Sequence, residues 1–289
     1  MKINELFNSK ELVFSFEIFP PKVTSPISTV YKTLEELNDL KPDFISVTYG
    51  AGGSLTNNRT TELSSLVKSV AHLTCISSTK DEIDIILDDL KSHGIENILA
   101  LRGDIPVGQD PKGEFNYAYE LISHIKKRGD FNILGACYPE GHVRGRDLKE
   151  DMMHLKLKEE MGATHFISQL FFDNNYFYDM LEEKDKLGIK SPIQAGIMPV
   201  VNKNQIERIS SLCGAHIPEK FIKIMNKYEH DKDALREAGI AYAVEQIVDL
   251  VSSGVDGIHL YTMNNPYVAR RIHDNINTII NSINNRKVV

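Results

Sequence analysis

Short apolar runs rich in β-branched residues alternate with longer amphipathic stretches along the whole chain. The short runs predict strands, and apolar positions at helical spacing in the longer stretches predict helices. The predicted strands are Leu12–Phe19, Asp43–Tyr49, His72–Ile76, Asn97–Arg102, Asn132–Tyr138, His165–Phe171, Ile193–Ile197 and Gly257–Thr262. The predicted helices are Ile27–Leu40, Thr60–Val70, Asp81–His93, Tyr117–Lys127, Asp147–Met161, Tyr176–Lys186, Asn204–Leu212, an additional short one at Ile217–Tyr228, Asp233–Ser253 and Pro266–Ile283.

Eight strand–helix units in 289 residues predict an α/β protein with a single (β/α)8 TIM barrel over residues 1–289. An open, doubly wound sheet is the alternative. The first strand leads into Pro20-Pro21 and is not followed by a GxGxxG motif, which disfavours the dinucleotide-binding version of that alternative. Neither a linker nor a low-complexity segment divides the chain.

The composition is that of an ordinary globular protein and narrows the classes of function. With 33 basic and 40 acidic residues the net charge is −7, which disfavours nucleic acid and anionic membranes as partners. No apolar run approaches the roughly 18 residues of a membrane span, and the polar start resembles no targeting peptide. Cys75, Cys137 and Cys213 are far apart without a CxxC motif, which predicts no disulfide scaffold and fits a reducing cytoplasm.

The catalytic residues of such a barrel lie where its strands end, so polar residues at these positions are candidates. In the first strand, Ser15 and Glu17 alternate with apolar neighbours, and we expect both to face the barrel interior. An inward carboxylate has little water around it, which favours its protonated form and suits a general acid. A carboxylate paired with a neighbouring basic residue is an equally open alternative.

Other strand ends carry further candidates, each with a structural alternative. Thr48 shares a face with Ser46, and the glycines that follow Tyr49 either admit a ligand or form a flexible loop. The triplet Arg102-Gly103-Asp104 is either a cation and an anion at the barrel mouth or a structural ion pair. Gln169 lies in an apolar run, so it must find a partner or bind a ligand.

The helix after the fifth strand places Asp151, His154 and Lys158 on one face, at positions i, i+3 and i+7. This face could hold a phosphate group or be a solvated surface, and its lysine disfavours a metal site. No lysine ends a predicted strand, which disfavours a Schiff-base aldolase, and the strand ends show no metal-binding cluster. The remaining groups suit a polar heteroaromatic cofactor and the protonation of a substrate.

Six motifs, one at the end of each of the first six strands, closely resemble those of the methylenetetrahydrofolate reductase family. They are Ser15-Phe16-Glu17-Ile18-Phe19-Pro20-Pro21, Ser46-Val47-Thr48-Tyr49-Gly50-Ala51, His72-Leu73-Thr74-Cys75, Ala100-Leu101-Arg102-Gly103-Asp104, Tyr138-Pro139-Glu140-Gly141-His142 and Gln169-Leu170-Phe171-Phe172-Asp173. They occur in the family's order. The resemblance extends from about Leu12 to Ile283 and is to the short bacterial form, which consists of the catalytic barrel.

The resemblance implies a non-covalent FAD at the barrel mouth and a ping-pong reaction. NADH or NADPH, with NADH expected, would reduce the flavin and leave. The flavin would then reduce 5,10-methylenetetrahydrofolate to 5-methyltetrahydrofolate, in one-carbon metabolism and methionine biosynthesis. No metal and a homo-oligomer are expected. The alternatives are another barrel enzyme, such as a metal-dependent lyase or a flavoenzyme like proline dehydrogenase, and a binding protein without turnover.

The resemblance also implies roles for individual residues: Glu17 falls on the family's general acid, and Asp104 lies near the folate, where its charge favours a cationic intermediate. The cofactor contacts fall on Thr48, Tyr49, Ala51, His72, Arg102, Gly103, Asp104, Tyr117, Ala118, Tyr138, His142, Asp151, His154 and Lys158. The substrate contacts fall on Glu17, Thr48, Asp104, Gln169 and Gln205. The chain departs from the family at Asn265, where many relatives carry an arginine, and at Leu157, where some carry a basic residue.

Overall fold

Eight parallel strands close into a barrel in their sequence order, so that the last strand pairs with the first. The computed structural model describes residues 1–21, 25–48, 59–105, 111–142, 145 and 148–286. The strands are β1 (Val13–Ile18), β2 (Phe44–Val47), β3 (Ser69–Thr74), β4 (Asn97–Leu101), β5 (Asn132–Cys137), β6 (His165–Ser168), β7 (Ile193–Ile197) and β8 (Gly257–Tyr261). This closed sheet confirms the predicted (β/α)8 barrel and excludes the open doubly wound alternative.

Helices surround the barrel and cover its outer face. They are α1 (Leu6–Ser9), α2 (Ser28–Asn38), α3 (Arg59–Ser64), α4 (Lys80–Ser92), α5 (Ala118–Arg128), α6 (Leu148–Met161), α7 (Asn174–Lys186), α8 (Lys203–Cys213), α9 (Glu219–Tyr228), α10 (Lys232–Ser252) and α11 (Pro266–Arg286). In α4, for example, Ile83, Leu87 and Leu90 recur at helical spacing and are all buried. The helix α9 confirms the additional helix predicted before the last unit. Among the helices described, none is long and apolar enough to cross a membrane.

The two faces of β1 show how the sequence sorts side chains in the barrel. Phe14, Phe16 and Ile18 pack outward into the apolar layer between strands and helices. Ser15 and Glu17 face the interior, as predicted, because successive side chains of a strand point to opposite sides. The upper interior of the barrel is therefore polar, although the layer around it is apolar.

The N-terminal residues close the lower end of the barrel, a feature that the sequence pattern did not predict. A short 3-10 helix (Ile3–Glu5) and α1 place Ile3 and Leu6 in one apolar cluster with inward residues such as Leu134 and Ile167. The cavities described below lie at the opposite end of the barrel.

The boundary between α3 and β3 differs from the prediction. Leu63, Val67 and Val70 recur at helical spacing, which predicted a helix reaching Val70. In the structure α3 ends at Ser64, and Val70 lies within β3, opposite Ser46 of β2. The hydrogen bonds to the neighbouring strand determine the conformation of this segment. The helical preference of so short a pattern is a weak local effect, and tertiary contacts override it.

The predicted sixth strand is too long by three residues, because β6 ends at Ser168 and not at Phe171. Leu170 and Phe172 leave the barrel wall and join an apolar cluster beneath α8 and α9. The ring centroid of Phe172 lies 5.5 Å from that of Phe221 on α9. This cluster holds the helices that follow β7 against the barrel mouth.

Replacing Gly239 of α10 with alanine should destabilise the protein, although the same change in a helix interior normally stabilises by about 0.5–1 kcal/mol. The reason is steric, because a Cβ at Gly239 would lie 1.7 Å from the carbonyl oxygen of Val200. We expect a loss of about 1–3 kcal/mol or more in the free energy of unfolding, measured by urea denaturation.

The control for this prediction is Ala241→Gly, two residues further along the same helix at an exposed position. It should lose about 1 kcal/mol, as expected from helix propensity alone. An unchanged or higher stability of Gly239→Ala would contradict the close approach of α10 to the segment after β7.

Candidate active site at the barrel mouth

Two adjoining cavities lie at the C-terminal ends of the strands. A central cavity of about 420 Å³ lies over the barrel axis, and a side cavity of about 320 Å³ lies between the ends of β4 and β5 and the helices α5 and α6. Both are lined by Arg102, Tyr138 and His142, so they share a wall. The central cavity also contains the predicted residues Glu17, Thr48, His72, Gly103, Asp104 and Gln169. The side cavity also contains the predicted residues Tyr117, Ala118, Asp151, His154 and Lys158.

Glu17 lies at the floor of the central cavity, with 19% of its side chain exposed. Its Oε2 atom lies 3.5 Å from Nε2 of His72 and 3.6 Å from Nε2 of His259. Burial lowers the pKa of His72 to about 4, against the opposing effect of the Glu17 charge, so His72 is neutral near pH 7. Within the described residues, imidazoles are the only basic groups within 4 Å of Glu17, and neither lysine nor arginine pairs with it.

His259 lies beneath Glu17 and was not recognised from the sequence. Its Nδ1 atom is 2.7 Å from Oγ of Ser15, and its Nε2 atom is 3.3 Å from Oγ of Ser46. It is completely buried and lies opposite Ser15 in the pairing of β8 with β1. The signal was present, since His259 and Tyr261 alternate with apolar residues in the predicted last strand, but only closure of the barrel brings that strand beside Glu17.

Tyr261, the next inward residue of β8, also lines the central cavity and was not assigned from the sequence. Its hydroxyl donates to the carbonyl oxygen of Ser168 over 2.7 Å. Burial raises the pKa of Tyr261 well above its usual value, and the nearby Glu17 carboxylate adds to this shift. Tyr261 is therefore an uncharged wall of the cavity.

The triplet after β4 forms part of the rim and does not contain an ion pair. The Nε atom of Arg102 donates to the carbonyl oxygen of Asn116 over 2.9 Å. Gly103 has φ +80°, and a Cβ there would lie 2.8 Å from Cβ of Thr74, so glycine is required at this position. Asp104 is exposed at the mouth, and in the described part of the chain it has no ion-pair partner. The alternative of a structural Arg102–Asp104 pair is therefore wrong.

The predicted face of α6 turns toward the side cavity and is not a solvated surface. Lys158 is buried and donates from Nζ to the carbonyl oxygen of Ala136 over 2.7 Å. Burial lowers the pKa of Lys158, while Cys137 and Asp151 partly oppose this shift. The carboxylate of Asp151 accepts a hydrogen bond from the backbone N–H of His142. The ammonium group of Lys158 and the carboxylate of Asp151 thus lie in the same wall of the side cavity.

Aromatic rings form the outer wall of the side cavity. Tyr117 and Tyr119 stack with centroids 5.2 Å apart and an interplanar angle of 10°. His154 meets the ring of Tyr117 edge-on at 5.2 Å. Flat apolar faces beside a buried cation suit a ligand that carries both an aromatic ring and an anionic group.

Of the remaining predicted residues, only some are found to line the two cavities. Tyr49 and Ala51 lie outside the described residues. Gln169 lines the central cavity, and its Oε1 accepts from the backbone N–H of Leu170 over 2.9 Å. Gln205 lies in the first turn of α8 and lines neither cavity, so the expected grouping of this residue with the others is not observed.

Asn265 and Leu157, the two positions expected to depart from the family pattern, lie in different surroundings. Asn265 precedes Pro266, the first residue of α11, and its Oδ1 accepts from the N–H of Val268 over 3.2 Å. It is therefore the N-cap of that helix, with proline at the favoured next position. Leu157 lies on α6 between cavity residues but lines neither cavity itself.

Comparison with protein families and solved structures gave consistent matches. A model of the family described as "Methylenetetrahydrofolate reductase" matches residues 2–277. The 5,10-methylenetetrahydrofolate reductase of Escherichia coli (strain K12) is 34% identical, with coverage of 86% of this chain and 86% of that protein. Methylenetetrahydrofolate reductase (NADH) 1 of Arabidopsis thaliana is 34% identical over 91% of this chain and 48% of its own length. The chain thus spans about half the length of that plant relative.

A solved structure has a similar fold. It is an uncharacterized protein from Clostridium thermocellum that binds two copies of 5-methyl-5,6,7,8-tetrahydrofolic acid. The TM-score is 0.66 with 13% sequence identity, over 97% of this chain and 99% of that one. At this identity the likeness shows the fold alone.

The buried state of His72 predicts how stability depends on pH. An unfolded imidazole binds a proton near pH 6.5, whereas His72 in the folded protein does so only near pH 4. Between these values the unfolded state binds more protons, so stability should fall as the pH drops from about 6.5 to 4. The contribution of His72 is on the order of 3 kcal/mol across this window.

The variant His72→Gln should have a shallower loss of stability between pH 6.5 and 4, measured by urea denaturation at several pH values. Part of the loss should remain, because burial also lowers the pKa of His165, to about 3. An equally steep loss in His72→Gln would contradict the neutral, buried state assigned to His72.

Proposed function

The chain belongs to the methylenetetrahydrofolate reductase family, and on this premise we propose that it reduces 5,10-methylenetetrahydrofolate to 5-methyltetrahydrofolate with NADH or NADPH through bound FAD. The observation that carries the proposal is the pair of adjoining cavities. One has an acid at its floor, and the other has a buried cation and an aromatic wall. A dinucleotide in the side cavity could present its reactive ring to a substrate above Glu17.

The side cavity has the donor groups that FAD requires. Lys158 is a buried cation suited to a diphosphate, and Asp151 can accept hydrogen bonds from ribose hydroxyls. Tyr117 and Tyr119 offer a stacked aromatic surface for an adenine ring. In the central cavity, Nε2 of His72 is buried without a hydrogen-bond partner among the described residues and lies 3.5 Å from Oε2 of Glu17. When bound, FAD supplies hydride transfer between the nicotinamide and the folate.

Glu17 is the proposed general acid of the folate step. Opening the five-membered ring of the substrate breaks a carbon–nitrogen bond, and the departing nitrogen is a poor leaving group until it is protonated. Glu17 is a carboxylic acid at the floor of the central cavity, where 19% of its side chain remains exposed toward a bound substrate. The carboxylate of Asp104 at the rim favours the cationic iminium that ring opening creates. Gln169 and Thr48 are further proposed contacts for the folate.

The coenzyme, the cellular setting and the assembly are parts of the same proposal. The name of the Arabidopsis thaliana relative includes NADH, which supports NADH as the electron donor. We place the reaction in one-carbon metabolism and methionine biosynthesis in the cytoplasm, and we expect association into a homo-oligomer through the outer helices. In the described residues, no group of three His, Cys, Asp or Glu side chains could hold a metal ion.

Removing the charge of Lys158 should weaken the binding of FAD. The variant Lys158→Met keeps most of the buried stem but loses the ammonium group. A lost charge-assisted hydrogen bond costs about 1–3 kcal/mol, equivalent to a rise of roughly 5- to 150-fold in the dissociation constant. Fluorescence titration of the apoprotein with FAD measures this constant.

The matched control is Lys156→Met on the same helix. The ammonium of Lys156 pairs with Glu159 over 2.8 Å and does not line the side cavity. Its FAD affinity should equal that of the unmodified protein. Equal affinity for Lys158→Met as well would contradict the assignment of the side cavity to the diphosphate.

Replacing Glu17 with glutamine should separate the two halves of the reaction. Glu17→Gln retains size and polarity but has no acidic proton to transfer. Flavin reduction by NADH needs no such acid and should proceed at close to the normal rate. Reduction of methylenetetrahydrofolate should slow by at least roughly 10²-fold. Anaerobic stopped-flow absorbance of the flavin measures each half-reaction separately.

The outcome for Glu17→Gln distinguishes three roles. Selective loss of the folate half-reaction supports the general acid. Equal slowing of both halves would mean that Glu17 shapes the cavity for both substrates. No slowing of either half would show that the acid has been wrongly assigned.

A further inference from the structure

A row of hydrogen-bonded side chains crosses the barrel interior directly beneath Glu17. It begins at Gln194 on β7, passes through Ser15 on β1 and reaches His259 on β8. The distances are 2.9 Å from Nε2 of Gln194 to Oγ of Ser15 and 2.7 Å from that Oγ to Nδ1 of His259. All three residues are completely buried, so water cannot substitute for a missing partner.

The carbonyl groups around Gln194 determine the direction of this row. Its Nε2 atom lies 3.4 Å from the carbonyl oxygen of Val13 and 3.4 Å from that of Ile258, and carbonyl oxygens only accept. The amide nitrogen must therefore be at this position, and Ser15 accepts a hydrogen bond from it. Ser15 has one hydroxyl proton left to donate, and Nδ1 of His259 lies within reach as the acceptor.

An imidazole that accepts at Nδ1 carries its proton at Nε2 when it is neutral. Nε2 of His259 faces Oε2 of Glu17 at 3.6 Å and Oγ of Ser46 at 3.3 Å. The N–H is therefore in reach of Ser46, whose hydroxyl in turn donates to Oε2 of Glu17 over 3.5 Å. His259 is thus connected through Ser46 to the group on which a negative charge appears once Glu17 has given up its proton.

We infer that His259 is a positioning residue whose Nε2–H tautomer, selected by Ser15 and Gln194, donates to the Ser46 hydroxyl and through it orients Glu17 and stabilises its carboxylate after proton transfer. The inference rests on the proposed function of Glu17 as the acid. In the step itself the Glu17 proton moves to the departing folate nitrogen, and the carbon–nitrogen electron pair goes to that nitrogen. His259 keeps its own proton throughout.

Other titratable groups also face Glu17 or line the same cavity. His72 on β3 is neutral above about pH 4 because of burial. Tyr261 on β8 stays protonated, because burial holds its pKa well above the usual value. Arg102 and Asp104, at the end of β4, line the same cavity. Nε2 of His72 lacks a hydrogen-bond partner in the described part of the chain, so His259 differs from it in having a tautomer that its neighbours determine.

The direct test is the histidine tautomer, observed by ¹⁵N NMR of the purified protein without folate. The signals of His259, identified by their loss in His259→Gln, should show an unprotonated Nδ1 and a protonated Nε2. In Ser15→Ala, which removes the donor to Nδ1, the two nitrogens should shift toward a mixture of tautomers. A proton on Nδ1 in the unmodified protein, or no change in Ser15→Ala, would overturn the inference.

The second readout is the pH profile of the folate half-reaction. His259→Phe has no N–H to donate, which favours the protonated form of Glu17, so the basic limb of the profile should move up by roughly one pH unit. The rate at neutral pH should fall roughly 10-fold. Ser15→Ala should shift the profile in the same direction, and it replaces His259→Phe if that variant does not fold. A slower reaction with an unmoved profile in both variants would mean that His259 has only a structural role, and the inference would fail.

The control is Ser69→Ala, a buried serine at the start of β3 that donates to the carbonyl oxygen of Ser64. It should change neither the tautomer of His259 nor the pH profile. The NMR measurement needs no folate, so it distinguishes a failure of this inference from a failure of the proposed function. A protein with the expected tautomer that does not reduce folate would overturn the proposed function, whereas folate reduction with the wrong tautomer would overturn only this inference.

Discussion

The interior of a closed barrel has no bulk water at its sides, so a polar group on its inner face is costly to bury unless it finds a partner inside the barrel. This constraint explains the arrangement around Glu17. The acid can lie at the floor of the cavity because Ser46 and the two imidazoles of His72 and His259 surround it. His259 in turn contacts a second layer, Ser15 and Gln194, which connects to backbone carbonyls. The polar surroundings of this one carboxyl group are thus contributed by β1, β2, β3, β7 and β8.

The same reasoning applies to the side cavity, where the buried charge belongs to Lys158. Its neighbours are a carbonyl oxygen, the face of Tyr138 at 5.7 Å and, further along the helix, Asp151. Burial lowers its pKa, which means that the protein alone does not fully stabilise the cation. An anionic ligand would compensate for that cost, and a dinucleotide has the required charge. Under the proposed function, the side cavity holds the anionic cofactor and the central cavity holds the substrate that accepts a proton. The two cavities share the wall formed by Arg102, Tyr138 and His142.

The sequence predicted the parts of this arrangement that depend on local periodicity. Alternation along β1 was enough to place Ser15 and Glu17 inward, and helical spacing was enough to group Asp151, His154 and Lys158. His259 was missed because it lies inside an apolar strand far from Glu17 in the chain, and only closure of β8 on β1 brings the two together. The predicted end of α3 was wrong because the apolar residues that follow it also fit a helical pattern. The pairing of β3 with β2, which the pattern does not show, makes part of this segment a strand. Gln205, suggested by family resemblance and not by pattern, lines neither cavity.

The central claim is that one mouth serves two substrates in turn through one flavin. The most direct measurement is to reduce the purified, flavin-containing protein with one equivalent of NADH without oxygen, remove NAD⁺, and add 5,10-methylenetetrahydrofolate. The account predicts that the flavin absorbance returns and that one equivalent of 5-methyltetrahydrofolate forms for each flavin. A flavin that stays reduced in the presence of the folate, or a purified protein that cannot bind FAD, would contradict the account.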